Sequence, residues 1–279
     1  MKAWLSLIRP EFPAMTFAGV LFGAAVAAKS FQASFLLAAI GPALITAGAF
    51  ALNDYFDVAS DRKLGRKDRP LVSGALKPAQ VLLGGSAMML AGLGLSFYES
   101  GMLAFAIAFV FSVLAIAYNA GLKKTLVVGN VAVSMTYAIP FIYGNVVASG
   151  MLSSLDPYVL LFAGVAFLAG LGREFLNSIK DAEGDKKIGA LSLPMFVGAR
   201  PVIAIAAVLF AAAVFLSLIP IVSGIKLPYL ALVGACDLLL LKSAQSAWND
   251  YSYENLAKVR KWTIYALILG VLGFATLAL

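Results

Sequence analysis

The sequence predicts an all-α, polytopic membrane protein, and composition and apolar runs both support that class. Of the 279 residues, 62% are hydrophobic and only 13% are charged, whereas a soluble domain carries about 25% charged residues. Nine apolar runs near twenty residues are long enough to cross a hydrocarbon core of about 30 Å. They lie roughly at residues 12–28, 34–57, 79–97, 102–119, 126–148, 157–178, 201–222, 227–246 and 260–279. We therefore expect one transmembrane domain over residues 1–279.

The first apolar run is predicted to be a membrane span and not a cleaved secretory signal. Ala25-Val26-Ala27 resembles a cleavage site. Removing this one span would, however, move every later loop to the opposite side of the membrane and so reverse the Lys and Arg bias of the loops. The residues before this run, Met1 to Glu11, contain Trp4 and Arg9 and indicate a short interfacial entry segment.

The Lys and Arg residues predict the orientation in the membrane. If the N-terminus is cytoplasmic, eighteen of the 21 Lys and Arg residues fall in inner segments, and only Lys29 and Lys226 fall in outer ones. This bias follows the positive-inside rule, so we expect a multi-pass cell-membrane protein with its N-terminus and its two longest inner loops, roughly 58–78 and 179–200, in the cytoplasm. The net charge of +7 is then topological and does not indicate nucleic-acid binding.

Missing residue types exclude several chemistries. The chain has no His, so His-based general bases, His-ligated haem and His-containing zinc sites are excluded. The single Cys236 lies in an apolar run and forms no internal disulfide, and its expected role is packing. Chemistry must therefore depend on carboxylates, Lys, Arg, Tyr and metal ions.

Polar side chains recur at every fourth residue in two places, each at the end of an apolar run. We call them the first ladder, in NDYFDVASD, and the second ladder, in NSIKDAEGD. The first ladder comprises Asn53, Asp57 and Asp61, and the second ladder comprises Asn177, Asp181 and Asp185. Residues four apart share one face of a helix, where neighbouring acids repel each other unless a cation offsets them. Oxygen ligands without His or Cys suit Mg²⁺, which proteins hold with one or two carboxylates plus substrate phosphates. The ladders therefore predict a site for Mg²⁺ and a polyphosphate at the membrane edge.

Basic residues follow both ladders on the same predicted side of the membrane. The loop after the first ladder, DRKLGRKDRPLVSG, contains Arg69 before Pro70, Lys123 follows the fourth span, and Lys186 follows the second ladder. A diphosphate needs fixed cations as well as metal, and the Arg fork matches its oxygens. Arg69 is the first candidate as a diphosphate ligand, with Lys123 and Lys186 as further candidates.

These motifs resemble the signatures of a known family. NDYFDVASD followed by RPLVSG resembles the first signature of the UbiA-type intramembrane prenyltransferase superfamily, N-D-x-x-D-x-x-x-D and then R-P-x-x-S-G. DAEGDKKIGALSLP resembles the second signature, D-x-x-x-D with a trailing K-x-G and L-P. Arg9-Pro10 and the nine spans also fit, so the resemblance covers essentially the whole chain.

The resemblance implies nine helices around a central cavity, capped on the cytoplasmic side by the two inner loops. It implies Mg²⁺-dependent transfer of an isoprenyl chain from a prenyl diphosphate to a lipophilic acceptor within the membrane. The metal ligands that it implies are Asn53, Asp54, Asp57, Asp61, Asp181 and Asp185. Asn177 fits the position four before the second Asp motif, and the positions around the leaving group correspond to Arg69, Lys123 and Tyr118.

The acceptor is the least determined part of this expectation. GREFLNSIKDAEGDKKIGALSLP resembles the archaeal branch that adds a second geranylgeranyl chain to geranylgeranylglyceryl phosphate, which favours ether-lipid biosynthesis with geranylgeranyl diphosphate as donor. Asn177-Ser178-Ile179 interrupts the spacing that is usual in that branch between Glu174 and the pair Lys180-Asp181. A chlorophyll-synthase-like acceptor and a quinone precursor such as 4-hydroxybenzoate therefore stay open. Arg173 and Glu174 are candidates either for acceptor contact or for a structural ion pair.

A secondary transporter is the alternative from another functional class. Its substrate site would lie near the bilayer midplane at broken helices, whereas the ladders lie at one membrane edge. Asp237 is the one acid in the middle of a predicted span, where it could pair with a cation or accept a hydrogen bond between helices.

Overall fold

The computed structural model describes residues 2–222, 224 and 227–278, and in these residues all regular structure is helical. The all-α prediction is confirmed. The helices are α1 (Lys2–Ile8), α2 (Glu11–Ala28), α3 (Ser34–Lys63), α4 (Pro78–Ala120), α5 (Val128–Ser149), α6 (Pro157–Ile188), α7 (Pro194–Val197), α8 (Ala199–Ser217), α9 (Ile219–Val222), α10 (Leu227–Asn249) and α11 (Tyr253–Ala278).

Eight helices in the described part of the chain are long and apolar enough to span a membrane: α2, α3, α4, α5, α6, α8, α10 and α11. The longest, α4, has 43 residues and contains two spans. Gly101 interrupts it with a φ of 77° and a ψ of 176°, a conformation outside the helical range that glycine adopts readily. The residues before and after Gly101 correspond to the predicted spans 79–97 and 102–119, so nine membrane-length segments are present.

The two ladder helices extend beyond their predicted ends. α3 continues to Lys63 and α6 to Ile188, so the predicted loops 58–78 and 179–200 are wrong in their first residues. Basic residues occupy the last turn of each helix, where they interact favourably with the helix dipole. Gly189, with a φ of 74°, ends α6 in the left-handed conformation typical of helix C-termini. Both ladders therefore lie entirely on helices.

The first compact unit comprises Met1–Lys123 and Tyr143–Leu155. Its core forms where α3 packs on the first half of α4, and glycines bring the two backbones close together. A Cβ added at Gly48 would lie 2.6 Å from the carbonyl oxygen of Gly85, and one at Gly92 would lie 2.5 Å from that of Gly41. Small residues at such positions are typical of helix packing in lipid. This contact fixes the helix that carries the first ladder.

The second compact unit comprises Lys124–Ile142 and Asp156–Leu279. It contains α6, α8, α10 and α11, and its aromatic core includes Phe162 stacked on Phe274 with ring centroids 3.8 Å apart. Asp156 caps the start of α6 by accepting a 2.8 Å hydrogen bond from the backbone N–H of Tyr158. These contacts fix the helix that carries the second ladder.

Asp237 makes a hydrogen bond between two helices of the second unit. Its Oδ2 accepts from the Ser217 hydroxyl at 2.8 Å, and the Tyr229 hydroxyl donates to the Ser217 carbonyl at 2.6 Å. The helix–helix role considered for Asp237 therefore has a partner in the structure. Of the two predicted outer lysines, Lys29 ends α2 and is exposed, and Lys226 lies outside the described residues.

Candidate functional site

The residues of the first ladder have two sets of partners. In the first set, the Asn53 amide donates a 3.1 Å hydrogen bond to Asp57 Oδ2. Lys123, just after α4, makes an ion pair with Asp57 Oδ1. The side-chain spacing of four residues produces the Asn53–Asp57 contact directly, whereas the Lys123 contact depends on the path of α4.

In the second set of contacts on α3, Asp54 and Asp61 share one arginine. Residues seven apart on a helix differ by only about 20° in direction, so these two carboxylates lie along one line. Arg69 Nη1 donates to Asp54 Oδ1 at 3.1 Å, and its Nε lies 3.7 Å from Asp61 Oδ2. Arg66 Nη1 donates to Asp61 Oδ1 at 3.2 Å. The loop after α3 therefore folds back and places two guanidinium groups against the helix.

A third guanidinium comes from the corner between α1 and α2. Arg9 Nη2 donates to Asp54 Oδ1 at 3.3 Å, and its Cζ lies 5.1 Å from the centroid of the Phe50 ring, a cation–π contact. Arg9 has a φ of 48°, which is uncommon for a residue with a side chain. This conformation directs the chain into α2 directly after Arg9.

This cluster carries a positive charge in a half-buried setting. Three guanidinium groups, of Arg9, Arg66 and Arg69, face the carboxylates of Asp54 and Asp61, which leaves a formal charge of +1. Asp54 and Asp61 are buried, whereas the three arginines are partly exposed. Because a low-dielectric surrounding strengthens charge interactions, this part of the unit is suited to attract a phosphate group.

The second ladder lies on α6, where neighbours on the same helix contact Asn177 and Asp181. Lys180 Nζ pairs with Asp181 Oδ1 at 2.9 Å and lies 5.9 Å from the centroid of the Tyr253 ring. About 35% of the Asp181 side chain is exposed, compared with 25% for Asp57. Asp185 and Lys186 follow one turn later, with Asp185 half-buried and Lys186 exposed.

About two turns before Asp181, a buried arginine begins a chain of polar contacts. Arg173 Nη1 donates to the Tyr137 hydroxyl at 3.1 Å and makes an ion pair with Glu174 Oε1. The same Glu174 oxygen accepts from the Asn177 amide at 3.2 Å. Arg173 is only 3% exposed. The structure thus favours the ion-pair role over acceptor contact, and Glu174 fixes the amide of the ladder residue Asn177.

The ladders fit Mg²⁺ by donor chemistry. Their possible metal ligands are carboxylate and amide oxygens, which suit a hard cation. Within the described residues, no three acidic or Cys side chains converge into a ready metal cage, because Arg and Lys contact the acids of the first ladder. Mg²⁺ usually takes one or two carboxylates and completes its shell with water and substrate phosphates. The residues present therefore suit a metal ion that arrives with a diphosphate.

Most predicted site residues of the first unit are brought together, and two participants were missed. These residues form two contact groups on α3 and its neighbours: Asn53, Asp57 and Lys123 in one, and Asp54, Asp61 and Arg69 in the other. Tyr118 lies half-buried near the end of α4. Arg9 and Arg66 were not among the predicted site residues. The Arg9-Pro10 motif, which fits the family resemblance, is the sequence feature that points to Arg9.

The chain is similar to known proteins in sequence and in fold. Residues 15–266 match the model of the UbiA prenyltransferase family. A digeranylgeranylglyceryl phosphate synthase from Archaeoglobus fulgidus is 36% identical, over 98% of this chain and 94% of that protein. A solved structure described as digeranylgeranylglyceryl phosphate synthase is 26% identical and superposes with a TM-score of 0.73, covering 99% of this chain and 98% of the other. A UbiA homolog from Archaeoglobus fulgidus bound to GPP and Mg²⁺ shares the fold, with a TM-score of 0.65 and 18% identity, covering 98% of this chain and 99% of the other.

The helical membrane fold and the two acid ladders define an intramembrane transferase of prenyl groups. The family match covers most of the chain, and a relative above 30% identity covers nearly all of it. The chain belongs to the UbiA prenyltransferase family. It is a multi-pass membrane enzyme, and the prediction of this family from the two motifs is confirmed.

Proposed function

We propose that this protein transfers a geranylgeranyl chain from geranylgeranyl diphosphate to geranylgeranylglyceryl phosphate, with Mg²⁺ as cofactor, in ether-lipid synthesis. The observation that carries the proposal is the match to a digeranylgeranylglyceryl phosphate synthase along almost the entire chain. The cation cluster and the oxygen ligands of the ladders supply the chemistry that a diphosphate donor requires. Residues 1–279 act as one catalytic domain in this proposal.

The donor diphosphate is bound by the ladders and the basic residues near them. The Mg²⁺ ligands would be Asn53, Asp57, Asp61, Asn177, Asp181 and Asp185. When bound, Mg²⁺ offsets the charge of the diphosphate and polarises the bond that breaks. Arg69 and Lys123 stabilise the oxygens of the leaving group, Lys186 adds a further cation, and Tyr118 lines the same region.

The reaction breaks the bond between C1 of the prenyl chain and the bridging oxygen, and the electron pair leaves with the diphosphate. The acceptor hydroxyl oxygen forms the new bond to C1 and releases its proton. Fixed cations such as Arg69 lower the barrier because they face the charge that develops on the leaving oxygen. The apolar helices exclude water, which would otherwise capture the allylic cation.

The orientation that suits this function places the N-terminus, both ladders and the basic loops in the cytoplasm. Eighteen of the 21 Lys and Arg residues fall on that side, and the positive-inside rule favours this orientation. The water-soluble diphosphate would then be released into the cytoplasm, while the prenyl chain stays in the bilayer.

An acceptor competition tests the proposal. Purified protein in detergent would receive geranylgeranyl diphosphate, Mg²⁺ and equal amounts of geranylgeranylglyceryl phosphate and 4-hydroxybenzoate. We expect the ether-lipid product to form in large excess, together with one diphosphate per product. Predominant prenylation of 4-hydroxybenzoate would overturn the acceptor assignment, and no diphosphate release with either acceptor would overturn the proposed donor chemistry.

A further inference from the structure

Asp54 accepts hydrogen bonds from two arginines, whereas the buried Asp61 accepts one from Arg66 at 3.2 Å and lies 3.7 Å from Arg69 Nε. Both carboxylate oxygens of Asp54 lie near Arg69 Nη1, at 3.1 and 3.4 Å, and Arg9 Nη2 donates to one of them at 3.3 Å. The Asp54 side chain is only 2% exposed. A buried carboxylate that accepts hydrogen bonds from two guanidinium groups is satisfied as an anion and needs no further cation.

The arginine contacts of Asp54 separate it from the ladder residues Asn53 and Asp57. Asp54 points about 100° from Asn53 but only about 60° from Asp57, and Asn53 and Asp57 bond to each other at 3.1 Å. Because two guanidinium groups hold the Asp54 carboxylate, a metal ion bound by Asn53 and Asp57 would have to displace an arginine to reach it. An arginine does not deprotonate to make room.

Arg9 shows that this arrangement is built into the backbone. Its φ of 48° places a side-chain-bearing residue in the left-handed region, a strain that persists only where the surroundings enforce it. The backbone N–H of Arg9 donates to the Leu5 carbonyl at 3.2 Å and its own carbonyl accepts from Phe12 at 3.0 Å, while its guanidinium stacks over Phe50. The strained corner thus delivers one fixed guanidinium to Asp54.

We propose that Asp54 is a positioning residue that holds Arg9 and Arg69 side by side for the donor diphosphate, and that it is not a magnesium ligand. This inference deepens the proposed function and rests on it for the identity of the donor. Contacts to Asp54 and Asp61 use Nη1 and Nε of Arg69, so its Nη2 can donate to a phosphate oxygen. Asp54 fixes the plane of this guanidinium, and a fixed fork loses less entropy on binding than a free one.

The test compares Asp54→Asn with Asp57→Asn, a matched change one turn along the same helix. Mn²⁺ replaces Mg²⁺ as a spectroscopic probe, and its binding to purified protein with inorganic diphosphate is followed by electron paramagnetic resonance. KM for geranylgeranyl diphosphate is measured in parallel from diphosphate release. We expect Asp54→Asn to raise this KM about 10–100-fold, the range typical of residues that orient a binding group, and to leave Mn²⁺ affinity unchanged. Asp57→Asn should weaken Mn²⁺ binding.

Two further variants keep the test decisive if Asp54→Asn folds poorly. Asp54→Glu retains the charge and should recover part of the donor affinity, and Arg9→Lys should raise the donor KM without changing Mn²⁺ affinity. Weaker Mn²⁺ binding in Asp54→Glu or Asp54→Asn, equal to that in Asp57→Asn, would overturn the proposal, and so would an unchanged donor KM in Arg9→Lys. Mn²⁺ and diphosphate binding need no acceptor, so a wrong acceptor assignment would leave these results intact.

Discussion

The two ladders have the same spacing but are fixed in different ways. The acids between Asn53 and Asp61 contact side chains from distant parts of the first unit. Arg9 lies 45 positions from its partner Asp54 in sequence, and Lys123 lies 66 positions from its partner Asp57. The ladder that begins with Asn177 contacts its own helix, since Glu174 binds Asn177 and Lys180 pairs with Asp181. Tertiary structure therefore positions the first ladder, whereas helix geometry alone positions much of the second.

This difference indicates that two motifs with the same residue spacing can have different roles in one reaction. The first ladder lies beside a cluster with a net positive charge, which suits the leaving diphosphate. The acid Asp181 is more exposed than Asp57, and it pairs with a lysine on its own helix whose side chain is only 6% exposed, so the exposed part of the Asp181 carboxylate is accessible to a metal ion.

Removing one ladder acid should have the largest effect. We expect Asp57→Ala and Asp181→Ala each to lower turnover more than about a hundredfold, since changes to the residues around metal ligands already cost 10–100-fold. Diphosphate release measures the rate, and thermal unfolding of both variants is the control for folding. A near-normal rate in either variant would show that its ladder has no part in catalysis.

Arg69→Lys should produce the next largest effect. A lysine is a point charge and cannot reproduce the planar fork that contacts Asp54 and Asp61, so we expect turnover to fall about a hundredfold, as on the loss of one donor to a developing anion. The fall should be equal for every acceptor that is turned over. Arg62→Lys, an exposed change in the last turn of α3, just before the loop that carries Arg69, is the matched control. An effect confined to one acceptor would assign Arg69 to acceptor binding.

Arg173→Gln should act on stability more than on substrate binding. Removing one partner of a buried ion pair leaves an uncompensated charge and costs about 3–5 kcal/mol. We therefore expect a clear drop in the unfolding temperature and an unchanged KM for geranylgeranylglyceryl phosphate. A raised acceptor KM in a variant of normal stability would restore Arg173 as a contact of the acceptor's phosphate.

The smallest perturbation tests orientation without removing a functional group. Lys187→Cys and Lys29→Cys, each on a Cys236→Ala background, change exposed positions and should leave turnover close to normal. In oriented membranes, an impermeant thiol reagent should label residue 187 from the cytoplasmic side and residue 29 from the opposite side. Labelling of both from one side would mean that the span count between them is wrong.

The helices and the ladders could be predicted because their signals are local. Apolar length identified the spans, and a four-residue spacing placed Asn53 beside Asp57 and Asn177 near Asp181. Both helices continued past the predicted membrane edge, since charged residues such as Lys63 and Lys187 are compatible with helix ends and carry no apolar signal. The turn at Gly101 was predicted only as a break between two apolar runs.

The partners of the acids could not be predicted from spacing. Arg9 reaches Asp54 through a strained corner between two helices, and nothing in the local sequence specifies a φ of 48°. Arg66 and Arg69 come from a loop with several basic residues, where the fold decides which of them turn back to α3. The sequence therefore predicted the acids well and the cations only in part.

A Mg²⁺ titration of diphosphate release tests the account most directly. Wild type, Asp57→Asn and Asp181→Asn would be compared with geranylgeranyl diphosphate and geranylgeranylglyceryl phosphate as substrates. If both ladders bind metal, both variants should need a higher Mg²⁺ concentration than the wild type for half of their maximal rate. An unchanged Mg²⁺ requirement in either variant, with only the maximal rate lowered, would contradict the claim that its ladder ligates the metal.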